Sequence, residues 1–312
     1  MRYRKFGKMD WNVSEIGLGG LFLNQEDRET GIALVRRALD LGVNFFDTAP
    51  SYNISQLILG EALDGEKRPH FVSSKIGPTR ETYWRGKYDR DSILKQFESN
   101  LKELRRDRVD MLFIHDPDRC AFPYPGSLEA VLAKGMALET LQELKSQGLI
   151  GAIGLASLWL DYQTQCIETG ALDIILTFNR YGLVWRDAQF QTFPFCHLHN
   201  VAIVQGTPLH QGLFTRPHPE WITSPPAWMT AQEHDRYRRL LDVQGAAGIP
   251  LPELAIRFIL NNPAISTVLA GAGNLDQLEM NIECSDTGPL PPDIQAQVEA
   301  LGILHIDPRR YL

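Results

Sequence analysis

The chain has 312 residues, of which 44% are hydrophobic and 22% charged, a composition of soluble globular proteins with a sizeable core. Its net charge of −7 and pI near 5.6 argue against nucleic acid or an anionic membrane as partner. The four cysteines (Cys120, Cys166, Cys196, Cys284) are scattered without a C-x-x-C pair, and neither a signal-type apolar stretch nor a membrane-length run occurs, so the expectation is a reduced, cytoplasmic protein.

The opening residues, RYRKFGKMDWNV, predict a small hairpin turning at Gly7-Lys8. Short apolar runs, most of them followed by helical patterns, come next. SEIGLGG (14–20) leads to a helix near 27–41, and NFFDTA (44–49) to one near 55–63. HFVSSKIG (70–77) precedes a helix near 90–105, and RVDMLFIH (108–115) one near 128–147. IGAIGLAS (150–157), LDIILTFN (172–179), VAIVQGTP (201–208) and STVLAGAG (266–273) complete eight strand candidates, and a short helix near 291–302 follows. Strands this continuously apolar suit a parallel sheet covered on both faces. Eight such units predict a (β/α)₈ barrel with an N-terminal hairpin and a C-terminal extra helix. A doubly wound sheet would want a longer phosphate turn than GLGG at 17–20 provides. No linker splits the chain, which reads as one domain over 1–312. Insertions at 78–89, 116–127 and 209–229 follow the third, fourth and seventh strands, and so fall at the C-terminal mouth where barrel enzymes build their sites.

Polar residues close three successive strands: Asp47, Lys75 in SSKIG, and His115 in LFIHDPD, with Tyr52 on the loop beside Asp47. Singly, these read as a turn former, a structural ion pair and a core histidine, and His-Asp-Pro as turn chemistry. Together they suit proton transfer to or from an oxygen. A free tyrosine titrates near ~10; a nearby ammonium would favour its anion, and an acid would hold that ammonium in place.

The stretches DTAPSYNISQLILGEAL, SSKIG, VDMLFIHDPD and GLIGAIGLAS, in this order, resemble the aldo-keto reductase family along nearly the whole chain. The resemblance implies a barrel that binds a nicotinamide cofactor without a Rossmann fold. It implies Tyr52 as general acid/base, Lys75 and Asp47 as its tuning pair, and His115 as the residue orienting the carbonyl. IHDPD and DIILTFNRYGL are most similar to the sugar dehydrogenase branch, with its aldose, fucose and galactose dehydrogenases. The same resemblance places Ser157 and Asn179 on the carboxamide, and Thr207, Leu209 and Gln211 around the pyrophosphate. Gly20 and Leu21 join the cofactor set, with Gly271, Gly273, Gln277 and Asn281 at the adenosine end. Where family members often stack an aromatic ring on the nicotinamide, this chain has Gly206, so stacking is lost or comes from Trp185 or Phe178.

No basic residue lies between Asn261 and Asn281, which favours NAD, with NADP the alternative. The leading expectation is an NAD-dependent dehydrogenase that oxidises the anomeric carbon of an aldose to a lactone. An NADPH-dependent aldehyde or ketone reductase, a slow cofactor-sensing regulatory protein, and lyase or isomerase chemistry on the same fold stay open. Phe22, Tyr83, Trp84, Trp185 and Trp221 are pocket-lining candidates. His197 and His199 sit at a helix end on the opposite barrel face, and no metal is assigned to them.

Overall fold

In the computed structural model, which describes residues 1–23, 27–82, 85–120 and 128–304, the eight apolar runs close into a parallel barrel. A two-stranded antiparallel hairpin, β1 (Tyr3–Phe6) and β2 (Met9–Ser14), precedes it. The barrel strands are β3 (Ile16–Gly19), β4 (Phe45–Asp47), β5 (Phe71–Ile76), β6 (Val109–His115), β7 (Ile150–Ser157), β8 (Ile174–Phe178), β9 (Ala202–Gly206) and β10 (Ile265–Ala270). They pair in sequence order, and β10 closes the ring against both β9 and β3.

Alternation along each strand sorts the residues. One set fills the barrel: Phe45, Met111, Phe113, Ile174, Val204 and Leu269 among others, joined by Phe6 and Val13 of the hairpin. The hairpin thereby plugs the N-terminal end, with Phe6 5.5 Å from Phe45 and Trp11 stacked 4.8 Å from Phe71. The other set faces the surrounding helices, so both faces are apolar and the strand sequences show no polar alternation.

The helix starts follow the chain's own caps. Asp27 accepts from Thr30 N, Asp89 from Ser92 N and Asn274 from Gln277 N, each at the head of a long helix. Thr230 and Glu233 form a reciprocal capping box before the helix Ala231–Ala247. The helix expected over 128–147 is instead two pieces, Glu129–Leu132 and Ala137–Ser146. Ala133 turns extended and Gly135 sits at φ +76°, which no helix continues through. The C-terminal helix is Pro292–Ala300. Among the described residues no single helix is long and apolar enough to cross a membrane.

Gly60 sets the distance between two helices under the site. A Cβ built there would lie 2.2 Å from Glu103 O and 2.9 Å from Leu104 Cα, both of them backbone atoms that cannot swing away. Gly60→Ala is therefore expected to destabilise the fold by about 1–3 kcal/mol, the usual cost of overpacking. A lowered thermal midpoint checks this; an unchanged one would show that the helix pair Ser55–Ala62 and Arg90–Leu104 can slide apart freely.

Candidate active site

The ends of β4, β5 and β6 lie side by side because these strands pair in register, Asp47 with Ser73 and Lys75 with Phe113. Period-two alternation sends Ser73 and Lys75 inward toward Asp47 and Ser74 outward. Lys75 Nζ lies 2.6 Å from each Asp47 oxygen and 2.9 Å from Thr48 O, which uses all three ammonium hydrogens. Ser73 Oγ donates to Asp47 Oδ1 at 2.6 Å. Lys75 is 1% and Asp47 3% exposed, so this is a buried, fully bonded ion pair. On the outer side, Ser74 Oγ donates to Gln56 Oε1, and Asn100 Nδ2 donates to Lys75 O. That network pins β5 to the two helices behind it.

Tyr52 enters from a tight turn, its N–H donating to Ala49 O while Ser55 N–H donates to Tyr52 O. Asn53 follows at φ +46°, a left-handed residue of a type that tolerates it. The Tyr52 ring centroid is 4.8 Å from Lys75 Nζ and 5.7 Å from the His115 ring, which stands at 86° to it. Tyr88 from the first insertion donates to His115 O at 2.6 Å and fixes the end of β6. His115 Nδ1 is buried with no partner among the described residues. The sequence-predicted tetrad thus converges, with Tyr52 keeping part of its surface at the mouth.

The electrostatics differ in one respect from the sequence expectation. Burial first, then the negative charges of Asp47 and Asp116, push the Tyr52 phenol well above its ordinary value. Burial outweighs the expected pull of Lys75 toward the phenolate, and the ammonium is bonded to both Asp47 oxygens. Burial likewise lowers Lys75, against the opposing influence of Asp47 and Asp116. His115 is held well below its ordinary value by burial, then by Lys75 and Arg119. At neutral pH the site therefore presents a protonated phenol beside an uncharged imidazole, two groups able to donate hydrogen bonds to one oxygen.

The remaining candidates lie along the other arc of the mouth, from β7 through β8, β9 and β10 to β3. Ser157 ends β7 and is buried. Asn179 follows β8 and Thr207 follows β9, both with left-handed φ. Thr207 Oγ1 donates to Asn179 Oδ1 at 2.7 Å, which leaves Asn179 Nδ2 buried without a partner among the described residues. Leu209 is half-buried and Gln211 exposed on the loop beyond. At the end of β10, Asn281 Nδ2 donates to Gly271 O while its Oδ1 has no partner among the described residues, and Gly273 N–H donates to Gln277 Oε1. On β3's side, Gly20 lies so close to β4 that a Cβ would stand 2.4 Å from Asp47 O, while Leu21 is exposed beside it.

Other aromatic candidates are spent on loop packing. Trp185 is buried and stacks on His210 at 3.9 Å, and Trp221 stacks on His218 at 3.8 Å while packing against Tyr237. Phe22 covers Gly271 on the cofactor-candidate arc. Tyr83 and Trp84 lie outside the described residues. Sequence reasoning missed Ser73, Tyr88 and the acidic pair Asp116 and Asp118. Asp118 Oδ2 accepts from Leu158 N and Trp159 N, which ties the β6 loop to the β7 loop. The HDPD stretch carried the only sequence signal for these two acids.

Comparison with known proteins agrees with this fold. The family model described as the aldo/keto reductase family matches residues 15–303. L-galactose dehydrogenase of Arabidopsis thaliana is 29% identical over 292 residues, covering 89% of this chain and 86% of that protein. D-threo-aldose 1-dehydrogenase of a Pseudomonas species is 28% identical, covering 85% of this chain and 86% of that one. The holo form of an aldo-keto reductase from Bacillus halodurans superposes with a TM-score of 0.84 at 24% identity, with 99% of each chain covered. A barrel closed in this strand order, matched by the family model almost from end to end, places the chain in the aldo/keto reductase family of oxidoreductases that use nicotinamide cofactors.

Proposed function

We propose that the protein is an NAD-dependent sugar dehydrogenase that oxidises the anomeric carbon of an aldose to a lactone, with Tyr52 as the group that exchanges the proton. The observation carrying this reading is the buried Lys75–Asp47 pair beneath Tyr52, with His115 set perpendicular to the phenol ring. When bound, the nicotinamide would supply the hydride acceptor or donor. The chain's own residues would handle the oxygen. Tyr52 would hold or release its proton, His115 would orient it by a hydrogen bond, and Lys75 with Asp47 would fix the charge beneath the ring.

The cofactor-candidate arc fits a dinucleotide. Asn179 Nδ2, on a side chain held by Thr207, is a buried donor suited to a carboxamide oxygen, and Ser157 ends the neighbouring strand. Thr207, Leu209 and Gln211 would follow the pyrophosphate, and Gly20, Leu21, Gly271, Gly273, Gln277 and Asn281 the adenosine end. The aldose reading draws on the two relatives named as sugar dehydrogenases. Reduced-nicotinamide absorbance with a panel of aldoses and both cofactors tests it; no NADH from any aldose would sink it.

A second reading, a carbonyl reductase, is favoured by one specific observation: burial keeps Tyr52 protonated, the form that donates to a carbonyl oxygen. Cofactor preference separates the two. The helix Leu275–Thr287 carries Asp276 and Glu279 in its first turns and no cation, and Arg37 is paired with Glu279 at 2.8 Å. A 2′-phosphate there would lack a charge-assisted partner. We expect NAD to be preferred by about tenfold or more. Gln277→Arg should raise kcat/KM for NADP more than it lowers that for NAD, since only the hydrogen bond to Gly273 is given up. A wild-type preference for NADP would overturn the assignment and move the reductase reading ahead.

A further inference from the structure

Asp116 directly follows His115, yet the proton chemistry leaves it without a task. Its φ of +47° lies in the left-handed region. Its N–H donates to Ala156 O at 2.8 Å, extending the β6–β7 ladder by one bond. Its carbonyl accepts from Arg119 N and Cys120 N, which starts the short helical turn Pro117–Cys120. The chain therefore swivels at this residue, immediately beside the predicted reaction centre.

The side chain is 6% exposed. Oδ2 lies 3.2 Å from Arg119 Nη1, while Oδ1 is buried with no partner among the described residues. A carboxylate can accept about four hydrogen bonds. Leaving half of one buried and unsatisfied is costly unless something arrives to use it. Of the described donors around it, Lys75 is committed to Asp47 and Thr48, Tyr88 donates to His115 O, and Arg119 Nη1 already reaches Oδ2. The charge of Asp116 is nevertheless felt at both Tyr52 and Lys75, the groups that flank the expected position of the reacting oxygen.

We propose that Asp116 determines specificity at this site, its unpartnered carboxylate oxygen accepting a hydrogen bond from a substrate hydroxyl one or two carbons from the reacting carbon. Polyhydroxylated aldehydes and lactols are then selected over apolar carbonyl compounds, because only they bring a donor to a buried acceptor. The inference rests on the Tyr52 site acting as proposed above, and deepens it by naming the chemical feature recognised.

The test compares kcat/KM for reduction of glyceraldehyde and of propanal, which share a three-carbon frame and differ in hydroxyls. Wild-type protein should favour glyceraldehyde. Asp116→Asn keeps the size of the side chain and a residue type at ease with left-handed φ, and Asp116→Gly serves as a second variant for the same backbone. With rates measured above pH 7, where Asp116, pushed up to about 7 by burial, is ionised, each should lower the glyceraldehyde-to-propanal ratio by about tenfold or more, the usual effect of losing a charge-assisted hydrogen bond. An equal fall for both aldehydes would show that Asp116 acts through Tyr52 or the fold, and would overturn the proposal. An unchanged ratio, or a wild-type ratio at or below one, would do the same. Failure to form lactone from aldoses would sink the dehydrogenase reading separately, since this comparison follows reduction.

Discussion

Tyr52→Phe is expected to lower turnover by about 10²–10⁴-fold, the usual contribution of positioned acid/base help. Cofactor affinity should stay nearly unchanged. The ring contacts that seat Tyr52 survive the substitution: the perpendicular packing on His115 and the approach of Lys75 Nζ to the ring face both involve the aromatic carbons. The candidates for holding a cofactor lie on the far arc of the mouth, from Ser157 on β7 to Gly20 after β3. Only the hydroxyl is lost. The remaining titratable neighbours are poorly placed to replace it, since Lys75 is locked to Asp47 and His115 is held uncharged by burial. Steady-state rates and cofactor titration by fluorescence, on wild type and variant, check the prediction. Near wild-type turnover would remove Tyr52 from the role of proton carrier. A loss of cofactor binding equal to the loss of rate would instead make the hydroxyl a cofactor contact.

Much of this arrangement was legible in the sequence, for a physical reason. A strand buried on both faces is apolar along its length, so a polar residue at its end stands out, and Asp47, Lys75 and His115 each close such a run. The eight runs also gave the strand order, because a helix between consecutive strands leaves a parallel ring as the compact solution. Tyr52 is legible only by its nearness to Asp47 in the chain, since nothing in a loop pattern says which side chain turns inward, and the resemblance supplies its role as general acid/base. Ser73 and Tyr88 left no trace, as a serine inside a strand and a tyrosine in an insertion carry no periodic signal. Asp116 was hidden in plain view, read as turn chemistry beside a proline. The turn is there, but its left-handed residue also carries a buried carboxyl group whose charge is felt at Tyr52 and Lys75. The sequence leaves the balance of influences on the Tyr52 phenol open for a related reason. Sequence shows that a lysine is near, and only geometry shows that both oxygens of an aspartate have already claimed it.

Lys75→Met should therefore damage stability and chemistry together, in ways that pH can separate. Methionine fills a comparable volume, so packing against Phe113 is largely retained. What changes is Asp47, 3% exposed in wild type and left with Ser73 Oγ as its remaining side-chain donor among the described residues. Removing one member of a buried pair costs about 3–5 kcal/mol, most of it the penalty of the stranded charge. Protonation of Asp47 relieves that penalty. The stranded carboxylate binds a proton more readily in the folded variant than in the unfolded chain, so stability is lost as pH rises past the unfolded carboxylate range and recovered as pH falls. The gap in thermal midpoint between wild type and Lys75→Met should accordingly narrow on acidification. Where Asp47 stays ionised, its charge acts on Tyr52 without the ammonium to offset it, and the phenol should be harder still to deprotonate. The alkaline limb of the oxidation rate should then move to higher pH, with the rate at neutral pH reduced. Thermal melts across pH and a pH–rate profile for both proteins read the two effects independently. A midpoint gap that does not change with pH would mean that Asp47 finds another donor. An unmoved rate profile would mean that the ammonium has no hand in the proton chemistry of Tyr52.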